Sequence, residues 1–94
     1  MAEEDGGATG KFLTVTTDTI PGYRIVKTLG LVRTSRGHNI RTEKTAARDA
    51  MLAAQKRVSD NGGNAIVGFR IAATESLIYV YGTGVVIEPL DTDQ

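Results

Sequence analysis

The sequence predicts an α+β subunit of two layers, in which one long helix covers a three-stranded antiparallel sheet in the order β-α-β-β and an N-terminal arm strand runs beside it. Three observations carry that prediction. Runs rich in β-branched and leucine residues occupy Tyr23 to Thr34, Asn64 to Ala73 and Leu77 to Glu88, and such runs suit half-buried pleated surfaces. Between the first two, the stretch from Thr42 to Asn61 repeats its apolar residues at spacings of three and four, the period of a helix face. Only Thr74, Glu75 and Ser76 separate the last two runs, a spacing that fits an antiparallel hairpin.

Each element follows in order. Leu13 and Val15 alternate with threonines in Phe12 to Thr17, which suits a short arm or edge strand, and Ile20, Pro21 and Gly22 end it in a turn. The first core strand is expected from Tyr23 to Thr34, with Gly30 marking a bulge or a close approach. Ser35 to Asn39 reads as a loop around Gly37, after which Thr42 is placed to accept hydrogen bonds from the first amides of the helix, with Glu43 in its first turn. Ala47, Ala50, Met51, Ala54 and Val58 form the helix face, whose small residues permit close approach, and Asn61, Gly62 and Gly63 stop it. Leu52 sits off that stripe.

Pairing Ala73 with Ser76 puts Val67, Phe69, Ile71, Ile78 and Val80 on one sheet face under the helix, beside Gly82 and Gly84. The opposite face then carries Ile66, Arg70, Leu77, Tyr79, Tyr81 and Val85. One helix covers only one face, so this second apolar surface calls for another cover, and a second copy of the chain is the simplest one. With 94 residues and 40% apolar content the chain is bounded to one small domain, marginal alone, which favours oligomerisation in the same way. The expected layout is a disordered acidic and glycine-rich tail at 1–11, a single domain at 12–90 and an acidic tail at 91–94.

Composition excludes several chemistries. The absence of cysteine removes disulfides, thiolate metal sites and cysteine nucleophiles. No apolar run approaches the roughly 18 residues of a membrane span, and Glu3, Glu4 and Asp5 stand where a secretory signal carries lysine or arginine. A cytoplasmic protein without a membrane span is therefore expected. The zero net charge conceals a basic body, because Arg24, Lys27, Arg33, Arg36, Arg41, Lys44 and Arg48 face only Glu43 between residues 24 and 48.

Within that body Arg33, Arg36, His38 and Arg41 cluster in the expected connection before the helix and are the candidates for binding a small anion. His38, the one histidine, is also the one weak metal candidate, opposed by its arginine neighbours. No aromatic residue is interleaved there, so nucleic acid is not expected as a partner. No catalytic group emerges, since the chain offers no Ser/His/Asp order and no convincing carboxylate pair; Glu43 and Asp49 point to different helix faces. Nothing in the residues names a cofactor.

Four segments carry a family resemblance: Thr17-Asp18-Thr19-Ile20-Pro21-Gly22-Tyr23-Arg24-Ile25, Leu29-Gly30-Leu31-Val32, Gly63-Asn64-Ala65-Ile66-Val67-Gly68 and Gly82-Thr83-Gly84-Val85-Val86. Through them residues 13 to 88 resemble the YbjQ-like proteins, small chains of uncertain function that carry a heavy-metal-binding label. The segment from Gly63 to Gly68 is the most specific of the four. The resemblance implies a two-layer, dodecin-like subunit and a ring, typically of five copies. The connection from Ser35 to Arg41 is shorter than the glycine-containing insertion common in that family. The expected function is that of a non-catalytic homo-oligomeric binding or scaffold protein, joined partly through Leu13, Val15, Tyr79 and Tyr81; the alternative is a storage or sensing protein for a small anion or metal ion at a subunit interface.

Overall fold

The computed structural model describes residues 12–38 and 42–90. The tails expected at 1–11 and 91–94 lie outside the described residues, as does Arg41. Five elements follow in order: β1 (Leu13–Thr14), β2 (Tyr23–Gly37), α1 (Glu43–Asp60), β3 (Ala65–Ala73) and β4 (Leu77–Pro89). They form one sheet in the order β1-β3-β4-β2 with the helix across it. The fold class is α+β as expected, but the sheet is four-stranded and mixed where three antiparallel strands were expected. The arm makes the difference. Leu13 N–H donates to the Asn64 carbonyl at 3.2 Å and Val15 N–H to that of Ile66 at 3.0 Å, so β1 joins β3 in parallel.

β2 also outruns its expected end, because the ladder overrides the turn composition of Ser35 to Gly37. β4 offers partners as far as Leu77, giving the pairs Arg36 with Ile78 and Gly37 with Leu77, and His38 N–H adds a bond to the Ser76 carbonyl at 3.0 Å. Thr42 holds the N-cap position, and its carbonyl accepts the Ala46 N–H at 2.8 Å. Its φ of −111° and ψ of 10° are not the extended values of a capping residue, and its hydroxyl makes no capping bond, contrary to expectation.

Ala50, Ala54 and Val58 of α1 are buried against Val32, Ile66, Phe69 and Val80, with Met51 packed beside them. Ala46 is buried as well, in place of the half-buried Ala47. Close approach depends on missing side chains. A Cβ on Gly63 would stand 2.5 Å from Val58 Cγ1, and one on Gly84 would stand 2.8 Å from Val58 Cγ2. The Thr34 hydroxyl, buried in this layer, donates to the Ala50 carbonyl and ties helix to sheet.

The assignment of β3 residues to faces is corrected by a bulge. The hairpin pairs Ala73 with Ile78 rather than with Ser76, and the ladder runs through Ile71 with Val80 and Arg70 with Tyr81. There the register shifts, and it resumes with Val67 opposite Thr83 and Ile66 opposite Gly84. Gly68, at φ 64°, sits in the shift, the left-handed geometry that glycine adopts in such bulges. One extra residue inverts the alternation, so Ile66 turns under the helix at 0% exposure and Val67 turns to the other face. Ile71 keeps its expected face but lies beyond the reach of the helix, 57% exposed.

The second face is partly covered by the chain itself. Leu13, Val15 and Ile20 of the arm pack on Ala65, Val67, Val85 and Ile87, and Arg70 Nη1 donates to the Thr16 carbonyl at 2.8 Å where the arm crosses. Phe69→Ala is expected to lower the unfolding free energy by about 3–5 kcal/mol in a denaturant titration, whereas Ile71→Ala is expected to change it by less than about 0.5 kcal/mol. Equal losses in the two variants would contradict the bulged register.

Candidate functional site

Residues of a strand point their N–H and C=O groups alternately toward one neighbour and away from it. The bond from His38 N–H to the Ser76 carbonyl sets the phase of this end of β2. Even positions from Val32 to Arg36 address β4, and the backbone groups of Leu31, Arg33, Ser35 and Gly37 point outward along the sheet edge. Side chains alternate between the two faces as well. Val32 and Thr34 are buried under the helix, Arg36 shares their side, and Arg33 lies on the second face beside Tyr81.

The expected anion cluster is thereby rearranged. Arg36 belongs to the strand rather than to a loop, as Arg33 does, and the two side chains leave it on opposite faces. Arg36 Nη1 turns to the edge and donates to the Ser35 carbonyl at 2.7 Å. From the last turn of α1, Arg57 Nη1 donates to the Arg33 carbonyl at 3.1 Å. Sequence reasoning missed Arg57; a basic residue in the last helical turn is an ordinary partner of the helix dipole and carried no other signal. It also borders a shallow cleft of about 290 Å³ formed by Leu29, Gly30, Leu31, Val58 and Gly84.

His38 fastens the end of β2 to the hairpin, its Nε2 lying 3.0 Å from the Thr74 carbonyl. A carbonyl only accepts, so Nε2 carries the proton in this contact and offers no lone pair to a metal there. Among the described residues no group of three or more His, Asp or Glu side chains is arranged to hold a metal ion. No described helix is long and apolar enough to cross a membrane.

Of the four expected interface residues, Leu13 and Val15 pack into their own subunit, as described above. Tyr79 and Tyr81 lie on the open part of the second face. Tyr81 stands between Arg33 on β2 and Arg70 on β3, and Tyr79 between Ser35 and Ala72.

The segment from Gly63 to Gly68 has a separate structural reason at almost every position. Gly63 allows Val58 and Leu29 to close over it. Asn64 acts as a side-chain rung of the ladder: its Oδ1 accepts the Ile87 N–H at 2.8 Å and its Nδ2 donates to the Ile87 carbonyl at 3.0 Å. Ala65, Ile66 and Val67 are buried, and Gly68 makes the bulge, its N–H bonded to the Thr17 carbonyl at 2.9 Å.

A family model described as selenium binding protein matches residues 8–89. The UPF0145 protein of Methanocaldococcus jannaschii is 33% identical over 84% of this chain and 96% of its own length, and that of Thermococcus kodakarensis is 30% identical over 81% and 91%. The chain belongs to the UPF0145 family. The YbjQ-like resemblance holds at this level. For the fold, a crystal structure from Pediococcus pentosaceus, of a protein of unknown function in the DUF74 family, superposes with a TM-score of 0.52 at 16% identity, over 84% of this chain and 98% of that one.

In this UPF0145 chain, Asn64→Ala removes both bonds to the Ile87 backbone. The expected loss is about 1–3 kcal/mol of unfolding free energy. Amide exchange at Ile87 should accelerate with it; unchanged protection there would show that the Asn64 side chain does not hold the strand.

Proposed function

We propose that this UPF0145 protein is a non-catalytic homo-oligomeric binding or scaffold module, a ring for which the YbjQ-like resemblance implies five subunits. The observation that carries the reading is the part of the second face that the arm leaves open. Leu31 is 77% exposed there, and Tyr81 and Leu77, both also exposed, continue the surface across β4. Apolar groups gathered on one sheet face of so small a subunit are a surface to be covered. Tyr79 and Tyr81 suit such a contact, since their rings can be buried while their hydroxyls stay wet. Leu13 and Val15 serve it indirectly, by closing the adjoining patch from within. The non-catalytic part of the reading is supported by the lack of cysteine and by the engagement of the one histidine with a backbone carbonyl.

A second reading, storage or sensing of a small oxyanion, is favoured by the description of the matching family model. Oxidised inorganic selenium dissolves as the oxyanions selenite and selenate. A chain without cysteine forms no selenium–sulfur bond with them and holds them only through positive charge and hydrogen-bond donors. β2 supplies Arg24, Lys27, Arg33 and Arg36 and no acidic residue.

Sedimentation at micromolar concentration tests the assembly. The wild type is expected as one species at a multiple of the 10.0 kDa chain mass, and Leu31→Asp is expected to shift it toward that mass with an unchanged far-ultraviolet dichroism spectrum. A wild-type monomer would sink the oligomer reading.

A further inference from the structure

We infer that the outer edge of β2, from Leu31 to Gly37, is an oxyanion-binding strip made by the outward amides of Arg33 and Ser35 and the guanidinium groups of Arg36 and Arg57. The inference rests on the oxyanion reading above and gives it a place. β2 ends the sheet, so its outward backbone groups lack a strand partner among the described residues. A bare edge offers donors and acceptors alike and recruits another strand. This edge is different. Its two central outward carbonyls, of Arg33 and Ser35, are accepting from Arg57 and Arg36 of the same chain. What the edge presents between Leu31 and Gly37 is therefore mainly donors.

The chemistry of the ligand follows from that asymmetry. The N–H groups of an added strand must compete with the guanidinium groups for the two engaged carbonyls, whereas an oxyanion brings chiefly acceptors. The outward amides of Arg33 and Ser35 stand two residues apart, about 6.6–6.8 Å along a strand. The guanidinium groups sit at the same two positions, and each carries five N–H donors, of which one Nη1 is used on the carbonyl. The ion pairs among the described residues, Arg24 with Glu88 and Lys56 with Asp60, involve neither Arg36 nor Arg57. Arg33, Ser35, Arg36 and Arg57 are all exposed residues, so the affinity must fall steeply with ionic strength.

The experiment is a titration of the ¹⁵N-labelled full chain with sodium selenite and, separately, with inorganic phosphate, each at low and high salt. The amide signals of Arg33 and Ser35 are expected to move saturably at low salt, and Arg36→Gln/Arg57→Gln to weaken binding by about tenfold or more, as the loss of charged hydrogen bonds requires. Lys56→Gln, on the same helix, is the control expected to leave the affinity unchanged, and sedimentation is expected to be the same for all three proteins. If neither anion moves any amide, the oxyanion reading itself falls. If an anion binds equally well to the double variant, or moves only amides remote from β2, the reading stands and the assignment to this edge is overturned. A double variant that loses binding together with its assembly state also overturns the assignment, because the arginines then act through the quaternary structure rather than on the anion.

Discussion

The left-handed backbone of Gly68 is the constraint on which the two layers depend. Strand alternation sends neighbouring side chains to opposite faces, and an uninterrupted β3 would put Ile66 and Phe69 on different sides of the sheet. The extra residue at the bulge brings both under α1 and leaves Val67 to the arm. The same residue anchors that arm, since its N–H is bonded to the Thr17 carbonyl and the next amide, of Phe69, to that of Val15 at 3.0 Å. One turn of backbone thus divides β3 between two cores. A Cβ there meets open space, with Asp18 Oδ1 nearest at 4.0 Å, so the requirement for glycine is conformational rather than steric.

Steric limits govern the helix side instead. Val58 lies against Gly63 and Gly84, and Ala50 and Ala54 let α1 settle onto β2 and β4. Interiors packed at crystal-like density respond to single methyl groups, and this one is built from small residues facing β-branched ones. The bond from the buried Thr34 hydroxyl to the Ala50 carbonyl adds direction to a contact that packing alone leaves free to slide.

These two cores also decide what is left for function. The arm occupies the β3 edge and the lower half of the second face, α1 occupies the other face, and β2 is left as the long exposed edge with Leu31 beside it. Arg57 arrives at that edge because the last turn of α1 ends over β2. Where one half of an edge strand is capped by the chain's own guanidinium groups, strand-to-strand growth is discouraged, and the proposed contact between subunits is left to the open sheet face.

The order of elements, the helix span to within a residue at each end and the alanine-rich packing face were legible in the sequence, because helical periodicity and terminal glycines are local signals. The bulge was not. Gly68 reads as one more glycine in a β-rich run, and only the competition between the arm and the helix for β3 determines where the alternation inverts; Ile66 and Val67 were exchanged for that reason. The end of β2 was hidden in the same way, since Ser35 and Gly37 have loop propensities that a full ladder against β4 outweighs. Sequence composition alone determined that this protein lacks thiol chemistry and carries a basic stretch before its helix. That Arg57 and Arg36 both reach carbonyls of the β2 edge while Arg33 turns to the other face was decided by the tertiary structure, because strand pleat and helix crossing bring together residues that no spacing in the chain relates.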